Sequence, residues 1–401
     1  MEGSINTCFC SQRPKTLLSS SLCREFFACA CSVLISNPWV LLHMHTPETT
    51  SESQSTSLKA SGTQGSRIAS KAALRRIAAL FVLIAIALLI CHNVMISMPG
   101  SSHEGPLAPL TDAQRAASER LRDDVVRLAG GIGQRSTFQP RQFAASAEMI
   151  WKQLEQAGLT PREHSRVARG TTVPNIDVTV QGTTLPEEIV LIGAHFDTFQ
   201  GTPGADDNAS GVAAVLELAR RFARAPQART LRFAFFVNEE PPAFWTSDMG
   251  SWVYAKKCKA DGDRITAMLA IESVGYYSDE PNSQQYPRPL NSLYPNKGNF
   301  LAFVSNVDNR KLVRRTISTW RANVAFPSEG AALPSALPGI GWSDHWSFWQ
   351  EGYPAMMLTD TATFRNPHYH RSSDTPDTLD YERMSRVVDG IEMIVKELAK
   401  E

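Results

Sequence analysis

The chain has 401 residues, 40 Lys plus Arg against 40 Asp plus Glu, and 43% hydrophobic residues. Zero formal net charge excludes a nucleic-acid binder that works by bulk basicity, and the apolar content allows two or three ordinary domains or one large α/β domain with appendages. Five of the seven cysteines fall in the first 31 residues, while residues 105–401 hold only Cys258, which excludes a disulfide-stapled domain there.

Residues 1–70 read as poorly structured. Thr46 to Ser70 is rich in Ser, Thr and Gln and short of apolar residues, a composition that cannot support a core. Cys8-Phe-Cys10 and Cys29-Ala-Cys31 lack the two-residue gap of a zinc-knuckle pair. Residues 71–99 read as a transmembrane anchor, because Ile77 to Cys91 is free of charge and follows Lys71, Arg75 and Arg76. A buried core helix or a signal-peptide core shares such a run. Its length and the lack of an A-x-A site after it favour a single-pass anchor, with the N-terminus inside and residues 105–401 on the extracytoplasmic side.

From Leu110 the texture becomes that of a folded domain. Thr111-Asp112-Ala113-Gln114 is a capping box that opens a helix to about Leu128. A second helix covers about Pro140 to Ala157 and stops at Gly158. Strands are expected at 188–193, 230–237, 267–271 and 354–358, with helices at 211–223 and 381–399. Continuous apolar strands between amphipathic helices mean an α/β fold with a mostly parallel central sheet flanked by helices.

Polar residues gather where these strands end. The first runs into His195-Phe196-Asp197, the second into Glu239-Glu240 and the third into Glu272. The fourth leads to His368-Tyr369-His370 and Asp374. Gly204 to Gly211 reads GADDNASG, placing Asp206 beside Asp207 just ahead of a helix. Taken alone, that stretch is a polar turn with a helix cap. Open α/β sheets bind ligands beyond the carboxyl ends of their strands. Acids and histidines collected at one sheet edge need compensation if buried, and divalent ions supply it; His, Asp and Glu together suit zinc.

These residues carry a resemblance. AHFDT (194–198), GADDNASG (204–211), FVNEEPP (236–242), AIESVGY (270–276), SDHWSFWQEGYPAMMLTDT (343–361) and YHRSSDTPDTLDY (369–381) occur in the order found in the M28 zinc exopeptidases. The chain from about Leu110 to Glu401 resembles that family's co-catalytic dinuclear aminopeptidases. The resemblance implies two zinc ions per chain, a peptide substrate and the zinc-exopeptidase fold. One ion would be held by His195, Asp207 and Glu272, the other by Asp207, Glu240 and His370. Asp197 would orient His195, and Glu239 would be the general base. Glu272 departs from the pattern: well-known members place Asp there, one methylene shorter. Tyr369, next to His370, is an oxyanion donor or a packed structural tyrosine. Asp344-His345 is expected to serve structure rather than ligation, and His368 to be a loop neighbour. Phe244, Trp245, Tyr276 and Tyr277 line a substrate pocket or pack in the core. Asn208-Ala209-Ser210 matches a glycosylation sequon, but a glycan there would obstruct the site. Two relatives of the same fold define the alternatives: single-zinc glutaminyl cyclases, and non-catalytic ectodomains that have lost site residues. The oligomeric state is not written in the sequence.

Overall fold

The structure, a computed structural model, describes residues 71–168 and 171–400. The expected unstructured region 1–70 and its cysteine pairs lie outside the described residues. Helix α1, Lys71–Cys91, buries no side chain. With the turn that follows, it forms the one helical stretch among the described residues, Lys71–Ile96, that is long and apolar enough to cross a membrane. Leu80, Phe81, Leu83 and Leu88 are all more than half exposed, so on its own the helix leaves a large apolar surface in water.

Behind it come α2 (Asp112–Val125), α3 (Pro140–Gln156), β1 (Arg162–Ala168), β2 (Thr171–Val180), β3 (Leu185–His195), α4 (Gly211–Phe222), β4 (Arg229–Phe236), α5 (Gly250–Asp261) and β5 (Arg264–Glu272). Then follow β6 (Leu301–Asn306), α6 (Arg310–Asn323), β7 (Ser328–Leu333), α7 (His345–Gln350), β8 (Ala355–Thr359) and α8 (Tyr381–Leu398). The capping box forms as read: Thr111 accepts from the Gln114 amide, and Gln114 accepts from the Thr111 amide.

The eight strands make one sheet in the order β1-β2-β4-β3-β5-β8-β6-β7. Its centre, β4-β3-β5-β8, is parallel, as the apolar runs predict. The flanks are mixed: β2 joins β4 antiparallel and β6 joins β8 antiparallel. The pattern did not announce β1, β2, β6 or β7. Five of the seven residues of β1, Arg162 to Arg166, are polar, and β2 carries Pro174.

Alternation decides which face each residue serves. Val190, Ile192, Leu269 and Ile271 point into the larger core, packed with α4, α6 and α8. Ile189, Leu191, Met268 and Ala270 point into a smaller core, packed with α5 and α7. Both faces of the central strands are therefore dry, which is why their sequences run apolar without a break. The smaller cover does not extend over β6 and β7, and that asymmetry leaves room for a cavity described below.

Candidate metal centre

Three strand ends and two loops build the site. β3 ends on His195, β5 ends on Glu272, and the chain leaving β4 turns at Asn238 into Glu239-Glu240. The turn before α4 supplies Asp207, and the loop after β8 supplies His370. Asn238, Ser273 and His370 sit at φ of 55°, 46° and 57°. Left-handed backbone at non-glycine residues costs of order 1 kcal/mol or more each and persists where the surroundings over-determine it. Here Asn238 precedes the Glu239-Glu240 pair, Ser273 follows Glu272, and His370 is itself a candidate ligand.

The five expected ligands come together as two groups, His195-Asp207-Glu272 and Asp207-Glu240-His370; within each, the ligand atoms lie within 4.8 Å of one another. Asp207 belongs to both. Its Oδ1 is 3.4 Å from His195 Nε2, and its Oδ2 is 3.0 Å from His370 Nε2. Glu272 Oε2 lies 3.1 Å from His195 Nε2, and Glu240 Oε1 lies 3.3 Å from His370 Nε2. Asp207 Oδ2, Glu240 Oε1 and His370 Nε2 are buried without a hydrogen-bond partner. Buried polar atoms are normally satisfied, so orphans converging on one point fit a cation. Burial pushes Glu240 up to about 8, with the Asp207 charge adding to the effect. Three acids packed this way need positive charge between them.

The longer Glu272 is held at both oxygens. Ser273 Oγ donates to Oε1 at 3.0 Å and Ser343 Oγ donates to Oε2 at 2.8 Å. Glu239 is also buried, with Oε2 4.0 Å from His195 Nε2. Among the described residues no group donates a hydrogen bond to its carboxylate. Burial pushes it well above the ordinary carboxyl range; His195 opposes this and Glu240 adds to it.

Two carboxylates position the acid pairs. Asp197 accepts from the backbone amides of Glu239 and Glu240, both at 3.1 Å. Asp374 accepts from the amides of Asp206 at 2.9 Å and Asp207 at 3.2 Å. Asp197 Oδ1 also stands 3.6 Å from His195 Nδ1, beside the ring that the resemblance expects it to orient. The HxD spacing puts Asp197 beside the histidine, but the amides of the neighbouring turn lie closer.

Asp206 ties loops together, accepting from Gly275 N and Asn366 Nδ2. Asn208 does the capping, with Oδ1 accepting from Gly211 N and Ser273 N. It is fully buried, so the sequon cannot carry a glycan in the folded protein. A Cβ on Gly211 would come within 2.4 Å of the Ile271 carbonyl oxygen, so only glycine lets α4 start this close to the sheet. Asp344 is buried outside both ligand groups. His345 hydrogen-bonds to the Ile340 carbonyl, and burial lowers it to about 4, a neutral structural histidine as expected. His368 meets Ser373 in its own loop.

Two contributors were not legible. Arg135, fully buried, donates to the carbonyls of Phe196, Gly133, Pro203 and Gly204, bridging the stretches that carry His195 and Asp207. It sits some 60 residues before the loop it holds, and no motif marks it. Phe199 stacks on one face of His370 at 4.1 Å and Tyr369 on the other at 3.9 Å, fixing the ring plane.

Beside Glu272 and Tyr369 opens an apolar cavity of about 110 Å³. Its aromatic walls are Tyr286, Tyr294, Phe300, Trp342 and Phe364, none of them singled out from sequence. Of the four aromatics that were, Tyr277 is core. Trp245 lies 45% exposed against Phe244, and Tyr276 faces His368.

Comparison with known proteins follows the same lines. Residues 175–395 match the profile of Peptidase family M28. A protein of Escherichia coli K12, YfbL, described as uncharacterized, is 35% identical over 287 residues, covering 69% of this chain and 87% of that one. A probable leucine aminopeptidase of Trichophyton verrucosum is 26% identical over 251 residues, 59% of this chain and 60% of its own length. The solved structure of a zinc aminopeptidase from Bacillus subtilis, BSAP, has a TM-score of 0.57 at 14% identity and covers 71% of this chain and 95% of that one. Glutaminyl cyclases also share the fold.

Proposed function

The chain belongs to peptidase family M28, and we propose that it is a membrane-anchored zinc aminopeptidase that removes N-terminal residues from peptides. The observation that carries this reading is the Asp207 carboxylate, with one oxygen turned to His195 and the other to His370. That arrangement suits two divalent ions sharing one ligand. Each group then offers one histidine and two carboxylates, donors that zinc accepts. A single-zinc cyclase reading would leave His195 and Glu272 without a task.

Bound there, two zinc ions supply Lewis acidity toward the substrate carbonyl and acidify a water. Glu239 takes a proton from the attacking water and delivers it to the leaving amine. Its freedom from hydrogen bonds and its place beside His195 suit that task. Glu240, next along the chain, turns the other way and binds. The Tyr369 hydroxyl donates to the oxygen that gains charge. Asp197 and Asp374 hold the backbone of both acid pairs still. Helix α1 anchors the catalytic domain to the membrane, on the extracytoplasmic side by the Lys71, Arg75 and Arg76 asymmetry.

The test is metal analysis of the purified full chain together with a panel of aminoacyl-arylamides. About two zinc ions per chain and release of the arylamine are expected. Folded protein that binds no zinc and cleaves none of the panel sinks the reading.

A further inference from the structure

The cavity beside the metal centre has a floor of known geometry. Glu272 on β5 pairs with Thr359 on β8, Thr359 pairs with Ala302 on β6, and Ala302 pairs with Glu329 on β7. The four residues form one row across the sheet, and all four line the cavity. Directly paired residues share a face, so Glu272 and Glu329 stand on the same side, three strand steps or about 14 Å apart. The cavity therefore runs from a candidate metal ligand to a second carboxylate over an apolar and aromatic middle.

Glu329 has one long ion-pair contact and little else. Its side chain is 21% exposed, and among the described residues no group donates a hydrogen bond to it. The nearest cation, Arg321, stays 3.9 Å away. Arg321 is already engaged: Nε and Nη2 donate to Ser328 Oγ and O, and Nη1 donates to the carbonyls of Pro99 and Gly100. Burial pushes Glu329 up to about 7, with Arg321 opposing. A half-buried carboxylate facing an apolar channel, with its neighbouring arginine turned elsewhere, is complementary to an incoming cation. The walls suit the same guest. Tyr286 and Tyr294 stack at 5.6 Å, and Trp342 and Phe364 at 6.3 Å. Aromatic faces favour a guanidinium or ammonium carried on an aliphatic stem.

We propose that this cavity takes the side chain of the substrate's N-terminal residue and that Glu329, at its far end, selects a long cationic one, arginine or lysine. The inference rests on the aminopeptidase reading for its orientation: the scissile bond lies at Glu272 and Tyr369, and the side chain points away along the row. Short side chains leave the far end unfilled. Leucine fills the aromatic middle but leaves Glu329 with only its long contact to Arg321.

The experiment compares kcat/KM of the full chain for arginyl-, lysyl-, leucyl- and alanyl-4-nitroanilide with that of Glu329→Gln. Arginyl and lysyl substrates should be preferred, and the arginyl-to-leucyl ratio should fall about tenfold or more in the variant, mainly through KM. An unchanged ratio overturns the inference. L-arginine binding, measured by calorimetry in a Glu239→Gln background with and without Glu329→Gln, gives a readout without turnover. If no arylamide is cleaved yet L-arginine binding depends on Glu329, the aminopeptidase reading falls and the subsite stands. Equal L-arginine affinity in both backgrounds removes the subsite.

Discussion

The two acid pairs, Asp206-Asp207 before α4 and Glu239-Glu240 after β4, are built by one device and used differently. In each, a distant carboxylate accepts from two successive backbone amides: Asp374 for the first pair and Asp197 for the second. In each, one member joins a ligand group, Asp207 or Glu240. The pairs differ in the remaining member. Asp206 is committed to Gly275 and Asn366, whereas the carboxylate of Glu239 accepts from no described residue. Locking the backbone thus fixes one ligand per pair and lets the second acid be either a tie or a free base, according to the donors around it.

The largest effect should come from Asp207→Asn. Removing the shared ligand should lose both zinc ions and all turnover, read by metal analysis and arylamide assay. Loss of a single zinc would show that the two groups are independent. Glu239→Gln should keep both metals and lower kcat by about 10²- to 10⁴-fold, the usual worth of a general base. Full activity in that variant would refute the role. Asp197→Asn and Asp374→Asn each leave one buried amide unpaired. Metal affinity or kcat/KM should drop about 10- to 100-fold, as for other supports of metal ligands, with the Asp374 change felt first in occupancy and the Asp197 change in turnover. Asp206→Asn should cost about 1–3 kcal/mol of folding stability through lost loop ties and leave zinc stoichiometry at two.

The smallest effect concerns Glu329, which no backbone amide holds. Its carboxyl is raised from 4.5 to about 7, with Arg321 as its charged partner and Tyr294 beside it. The folded state binds the proton more tightly, so stability falls as pH rises from 4.5 to 7. Glu329→Gln removes that fall. The melting temperature of the variant relative to the parent should therefore rise by one to a few degrees between pH 5 and pH 8. A gap independent of pH would mean the carboxyl is charged throughout.

The strand ends, their ligands and the order of motifs were legible because their signals are local. A parallel strand buried on both faces must be apolar throughout, and the residue at its end is exposed to the site by position alone. α6 was equally legible in principle, since Val313, Thr316, Ile317 and Trp320 recur at helical spacing and all are buried. β1 was not, because polar residues on a sheet margin carry no periodic signal.

By itself the sequence determined which side chains end the central strands, and so which residues could ligate a metal. It also determined the apolar stretch Lys71–Ile96. Only the tertiary structure decided that Asp197 serves the amides of the next turn, that Arg135 clamps the loop between His195 and Asp207, and that Glu329 shares a row with Glu272. The reason is physical. Ligand identity is a property of one residue at the end of one element. Hydrogen-bond partners and cavity walls are fixed by strand order and register, which bring together residues far apart in the chain, and no single stretch encodes them.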